Sequence, residues 1–189
     1  MIHEIAHGSV ALSLGDPTAK DSGRLSLNPL RHLDPLGSVI LPVTLYILTQ
    51  GRGPIFGWAK PVPINPNNFR DKKWGELKVA IAGPLTNFLI ALVFGLLIRF
   101  FSLPQQLLIP FGLITIYNLW WGLFNLLPIF PLDGSHILFS FLSSKWSNVK
   151  MSLERYGFLI LIFLIFFGLD WMFQLAAIIY RLITGHLAL

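Results

Sequence analysis

Cysteine is absent from the chain, which excludes disulfides and thiolate-bound metal and leaves the redox compartment unreadable. Charge is scarce as well. Asp, Glu, Lys and Arg make up 12% of the residues, about half the share usual in a soluble domain. Acidic side chains are the rarer sign, nine against fourteen basic ones, for a formal net charge of +5. No basic stretch precedes an apolar run at the start, so a cleavable signal peptide is not expected. Repeats, low-complexity tracts and domain linkers are not found either. Without staples, the fold must be held by its apolar segments.

Those segments are abundant. Hydrophobic residues make up 54% of the 189, more than a soluble core of that size can hide, and they come in long runs. Leu77 to Phe101 carries only Lys78 and Arg99 as charges, near its ends, and Tyr156 to Leu169 carries none. Runs of about 20 residues match the ~30 Å hydrocarbon core of a bilayer. The expectation is an all-α integral membrane protein, one domain over residues 1–189, built as a polytopic bundle of four to five apolar helical segments. Its place is the cell membrane, crossed more than once.

The chain reads as a short helix over 2–15, stopped by Asp16-Pro17, and then a turn-rich stretch to Pro35. An apolar segment over 36–49 is followed by a Gly/Pro/Asn loop to Trp74. A spanning helix over about 76–101 and an uncharged turn from Ser102 to Pro110 come next. A second run over 111–127 meets Pro128 and Pro131 and continues past Asp133 to about Leu142. A last long helix begins near Met151, and 171–185 is a further apolar segment, amphipathic or spanning. Loops 51–74 and 144–155 are basic, the latter through Lys145, Lys150 and Arg155, which places both in the cytoplasm. With 16–35 also cytoplasmic, 36–49 cannot cross. Its shortness and its internal Pro42 agree with a re-entrant or interfacial element.

The chemistry concentrates in His3-Glu4-Ile5-Ala6-His7. Positions i and i+4 share a helix face, so both imidazoles can reach one Zn²⁺ while Glu4 approaches its water from the side. Such a five-residue pattern also arises by chance. Against chance stands the apolar helix around it, because ionisable groups at membrane depth are costly and usually functional. A catalytic zinc takes three protein ligands and leaves one position open. The best third ligand is Asp133, in an otherwise apolar segment behind two prolines and before Gly134. The plainer reading of Asp133 is a helix N-cap. Two histidines and a carboxylate match the ligand sets of zinc hydrolases.

These residues resemble the site-2 protease family of intramembrane zinc metalloproteases. The resemblance covers essentially the whole chain. Besides the first motif it rests on Gly23 through Pro35, Gly57-Trp58-Ala59-Lys60-Pro61-Val62-Pro63, Ala82-Gly83-Pro84-Leu85-Thr86-Asn87 and Asn125 through Gly134. It implies one zinc per chain bound by His3, His7 and Asp133, with Glu4 as the general base of a zinc-activated water. It also implies that Asn125 helps hold an unwound substrate segment. The partners implied are a membrane-protein or peptide substrate and the lipid bilayer; nucleic acid is not expected. Family members carry an apolar helix before the motif helix, so an apolar extension upstream of residue 1 is expected. Two rivals remain: a membrane scaffold that binds metal or substrate without cleaving, and a small transporter using the same acid and histidines as a relay.

Other polar residues carry weaker expectations. His136 could support the site or be polar surface. For His32 and Asp34, turn chemistry around Pro29 and Pro35 is the simpler account. Asn87 could bond across helices, Pro84 could kink its helix, and Arg99 should snorkel to the outer interface. Asp170 should mark a helix end.

Overall fold

A computed structural model describes residues 1–53, 55, 57–142 and 146–185, as helices joined by turns and irregular segments, with no strand among the described residues. Lys145 lies outside them. Contacts group the chain into two compact units, Met1–Gly75 and Glu76–Leu189.

The first unit opens with α1 (Ile2–Ser13), whose stripe His3, His7 and Ala11 is buried together with Gly8. Residues spaced by four stack on one face, so the two histidines and Ala11 are buried as a set. The helix stops two residues earlier than the sequence suggests. Gly15 turns the chain at φ +106°, and Asp16 behind it is fully buried. A single turn, α2 (Thr18–Asp21), follows. The turn Pro29–His32 is capped by Asn28, which accepts from the Leu30 N–H at 3.0 Å. A π turn over Pro35–Ile40 is capped by Asp34, which accepts from the Gly37 N–H at 2.7 Å. It runs into α3 (Leu41–Thr49), which ends on a left-handed Gln50.

No residue of α3 is buried, and Val43, Tyr46, Ile47 and Leu48 are all exposed. Pro35–Thr49 would rise about 22 Å, short of the ~30 Å core. An apolar segment of that length with a proline-started π turn matches the irregular element expected there.

The second unit holds α4 (Gly75–Phe100), α5 (Gln105–Asn125), α6 (Asp133–Phe141), α7 (Ser147–Phe167) and α8 (Asp170–Thr184). Among the described residues, α4 and α5 are long and apolar enough to cross a membrane. The pair α7–α8, bent by 70°, makes a third crossing if it is one span. The expected turn over Ser102–Pro110 is shorter than the sequence suggests, because Pro104 caps α5 and the helix already includes Pro110. Pro104 loses nothing as the cap, since the first N–H groups have no intrahelical partner anyway, whereas Pro110, the sixth residue of α5, leaves the Gln106 carbonyl without its i→i−4 donor.

The core of this unit gathers around α5. Ile116 and Leu119 pack with Ala91 of α4 and with Ala176 and Tyr180 of α8. Phe124 packs with Leu132, Leu161 of α7 and Met172 of α8. Gly95 fits where a Cβ would stand 2.5 Å from Ile183. Arg99 does more than snorkel: its Nη1 donates to the Leu182 carbonyl at 2.8 Å, satisfying one of the last carbonyls of α8. Asp170 is exposed in the first turn of α8, the helix end expected of it.

Candidate metal and catalytic site

The geometry of α1 brings its two histidines together. His3 and His7 are 8% and 7% exposed, their rings meet edge to face, and their Nε2 atoms stand 3.0 Å apart. Two imidazole nitrogens aimed at one point cannot both carry a proton there. On a tetrahedral zinc with ~2.0–2.1 Å bonds, two such nitrogens would lie about 3.3 Å apart. The pair therefore fits one shared ion with little adjustment, and neutral imidazole is the donor such an ion takes.

Glu4, half-buried beside the pair, accepts the backbone N–H of Val62 on Oε2 at 3.2 Å. Gly8, directly after His7, permits this closeness. A Cβ there would stand 2.7 Å from Leu25 Cδ2 and 3.0 Å from both Ala19 and Val62.

An extended segment, residues 57–65, runs past α1 and is tied down along its length. The Trp58 N–H donates to Gly37 O at 3.1 Å, and the Lys60 N–H to His32 O at 2.9 Å. Asp16 takes the other end. It accepts from the Asn65 N–H at 2.7 Å and from the Asn68 amide at 2.8 Å, as well as from the hydroxyl and the N–H of Thr18. Burial alone would push the Asp16 carboxyl up. Hydrogen bonds from Thr18, Asn65 and Asn68 together outweigh burial and hold it below the usual carboxylate range. The Arg70 N–H then donates to Leu14 O at 2.8 Å. From the sequence, Asp16 reads as a helix stop and Val62 has no separate role. The signal it could have used is Pro61-Val62-Pro63, where a lone N–H is left between two residues that have none.

Asp133 belongs to the second unit, where it opens α6. The N-cap there is Leu132, and no side chain caps the helix, so the plain N-cap reading of Asp133 is set aside. A carboxylate in the first turn is favoured by the helix dipole. Gly134 next to it is obligatory, because a Cβ would come within 2.3 Å of the carbonyl oxygens of both Leu126 and Leu127. Asn125, 8% exposed at the end of α5, donates its side-chain amide to Trp121 O at 2.9 Å. His136 is exposed, with its ring 6.4 Å from that of Phe130. His32 and Asp34 serve turns in the first unit: His32 Nε2 contacts Ser26 O at 2.7 Å.

A paired-imidazole helix with an adjacent carboxylate is the arrangement found in zinc metalloproteases, and the comparisons with known proteins point to that class. The profile described as "Peptidase family M50" matches residues 102–167, the stretch that contains Asn125 and Asp133. "Putative zinc metalloprotease YwhC" of Bacillus subtilis is 38% identical over 172 residues, covering 86% of this chain and 74% of that protein. "Zinc metalloprotease MJ0392" of Methanocaldococcus jannaschii is 38% identical over 91 residues, 47% of this chain and 27% of that one. Rip2 of Mycolicibacterium smegmatis, named in the same style as YwhC, is 31% identical over 166 residues, 87% and 62%. No solved structure matches the chain at the same stringency. The chain belongs to peptidase family M50, the site-2 protease family. It is a zinc metalloprotease with a peptide or protein substrate.

Proposed function

We propose that the chain is an intramembrane zinc endopeptidase that cuts membrane-protein substrates at bilayer depth. In this reading it is a multi-pass protein of the cell membrane, holding one zinc through His3, His7 and Asp133. The observation that carries the reading is the buried His3–His7 pair, 3.0 Å between Nε2 atoms, with a carboxylate beside it on an apolar helix. Asp133, an ionisable group in the first turn of a helix inside an apolar segment, is the remaining anionic donor that this chemistry calls for.

When bound, zinc supplies Lewis acidity and lowers the pKa of water from ~15.7 toward ~7. Glu4 then acts as the general base, taking a proton on its carboxylate and returning it to the leaving amine nitrogen, a role worth about 10² to 10⁴ in rate. The substrate must unwind to offer a carbonyl. Asn125 can meet it, since its amide N–H is used on Trp121 O while its carbonyl oxygen can accept from an extended strand. The exposed apolar surface of Pro35–Thr49 suits a re-entrant position among lipid chains.

The test is metal analysis of the detergent-purified chain together with cleavage of a membrane-segment peptide. One zinc per chain, lost in His7→Ala and in Asp133→Ala, is expected. Unchanged metal in Asp133→Ala would require another third ligand.

A further inference from the structure

The segment 57–65 touches the reading just given at one atom, the backbone nitrogen of Val62. Its N–H donates to Glu4 Oε2 at 3.2 Å. The local sequence makes that donor solitary: Pro61 and Pro63 have no N–H, so no neighbouring donor competes for the carboxylate. Pro63 after it also biases Val62 to extended backbone.

The segment is fixed on either side of this atom. Upstream, Ser38 Oγ donates to Trp58 O at 2.8 Å, and the Lys60 N–H is held by His32 O. Downstream, buried Asp16 grips Asn65 and Asn68. Val62 itself is 6% exposed and lies against Gly8, where a Cβ would stand 3.0 Å from its Cγ1. An extended strap anchored at both ends, with one unopposed N–H aimed at the carboxylate, is a rigid reference point for Glu4.

We propose that the Val62 N–H is a positioning donor for Glu4. It fixes Oε2 and so assigns proton transfer to Oε1. An unanchored Glu side chain samples many rotamers, and ordering it costs conformational entropy. A donor bonded to one carboxylate oxygen removes that freedom before substrate arrives. The proposal rests on Glu4 being the general base.

The test replaces the Val62 amide with an ester, by incorporating the α-hydroxy analogue of valine into the full chain. The ester keeps the side chain and puts in place of the N–H an oxygen that cannot donate. Val62→Pro removes the same donor genetically at a position already biased to extended backbone. Expected is a fall in kcat of about 10- to 100-fold, the usual value of a hydrogen bond to a charged group, with KM and zinc content preserved. Val62→Ala keeps the donor, and its kcat should stay well above that of the ester even if its thermal midpoint falls. An activity-free readout is the Val62 amide proton in ¹⁵N-valine protein, which should shift upfield and exchange faster in Glu4→Ala. An ester with undiminished kcat, zinc lost along with activity, or a Val62 amide indifferent to Glu4→Ala would each overturn the proposal. An active Glu4→Gln would instead overturn the general-base reading beneath it. An inactive Glu4→Gln beside a fully active ester would overturn only the positioning role.

Discussion

Gly134→Ala is the most revealing single change in the second unit, because it perturbs Asp133 without touching its chemistry. The added Cβ would stand 2.3 Å from two carbonyl oxygens, those of Leu126 and Leu127. Carbon and oxygen make van der Waals contact at roughly 3.3 Å, close to the spacing of the tightest Cα–H···O contacts, so the overlap is about 1 Å on each. Neither obstacle is the end of a flexible side chain. Both belong to the backbone that leaves α5, where Leu126 and Leu127 already make turn hydrogen bonds to Gly122, Leu123 and Phe124. Relief requires that the first turn of α6 lift away or that the α5 terminus unwind.

Overpacking of this kind costs about 1–3 kcal/mol, more where backbone must move. The helix-propensity gain of alanine over glycine, about 1 kcal/mol, cannot offset a clash with two carbonyls. A lift of about 1 Å carries Asp133 with it, and a misplacement of that size costs about 10²-fold in rate. The assay is threefold: thermal midpoint in detergent, zinc per chain, and cleavage of a membrane-segment peptide. All three should fall in Gly134→Ala. A variant as stable and as active as the parent would refute the reasoning, since the first turn of α6 would then have room that the structure denies it.

Glu4→Gln should keep zinc and lose cleavage, because in the proposed mechanism Glu4 moves a proton and does not coordinate; retained cleavage would sink the mechanism. Asp133→Asn should lower both zinc affinity and activity, checked by titration with a chelator of known strength. Asp16→Asn should destabilise the first unit at neutral pH, since an amide cannot accept from both the Asn65 N–H and the Asn68 side chain. The folded value of Asp16 lies below the usual one, so its stabilisation is present above the unfolded value of about 3.9 and is lost as pH falls through the folded value. Thermal midpoints of the two forms should therefore converge below about pH 4, and a constant gap would contradict the assignment. Cysteines placed singly at Ser22 and Thr49 should react alike with an impermeant reagent in intact cells; labelling of only one would mean that 36–49 crosses the membrane.

The histidine pair was legible because ionisable groups in an apolar context stand out and because spacing by four has one meaning on a helix. The long helices were legible from length and apolarity alone. What escaped was tertiary. Asp16 looks like an ordinary helix stop next to Pro17. Only the return of the chain at Asn65 and Asn68 turns it into a buried clamp. The sequence suggests a later start for α5 because Pro104 and Pro110 together look like a turn, whereas one caps the helix and the other sits in its opening turns. Arg99 was given to the interface because sequence cannot show that the end of α8 lies within its reach. The Val62 contact is made by a backbone donor, so its trace in the sequence is indirect: the two flanking prolines that leave its N–H alone.

One regularity joins the two units without any appeal to their arrangement. His7 is followed by Gly8 and Asp133 by Gly134, and at both glycines a Cβ would collide, with side chains in the first case and with backbone in the second. A proposed ligand could be held in place by a surrounding set of side chains, which mutate and repack cheaply. Here a glycine beside each lets the helix main chain approach its neighbours closely, side chains at Gly8 and other main chain at Gly134, and the second has far fewer ways to relax. The difference between the two collisions grades the expected damage. At Gly8 the nearest atom is the end of Leu25, which can turn aside, so Gly8→Ala should cost less than Gly134→Ala and should act mainly by pushing Val62 away from Glu4. Activity falling in Gly8→Ala while zinc content holds would be the mark of that route. If Gly8→Ala instead loses zinc first, the close approach at Gly8 serves the histidines and not the strap.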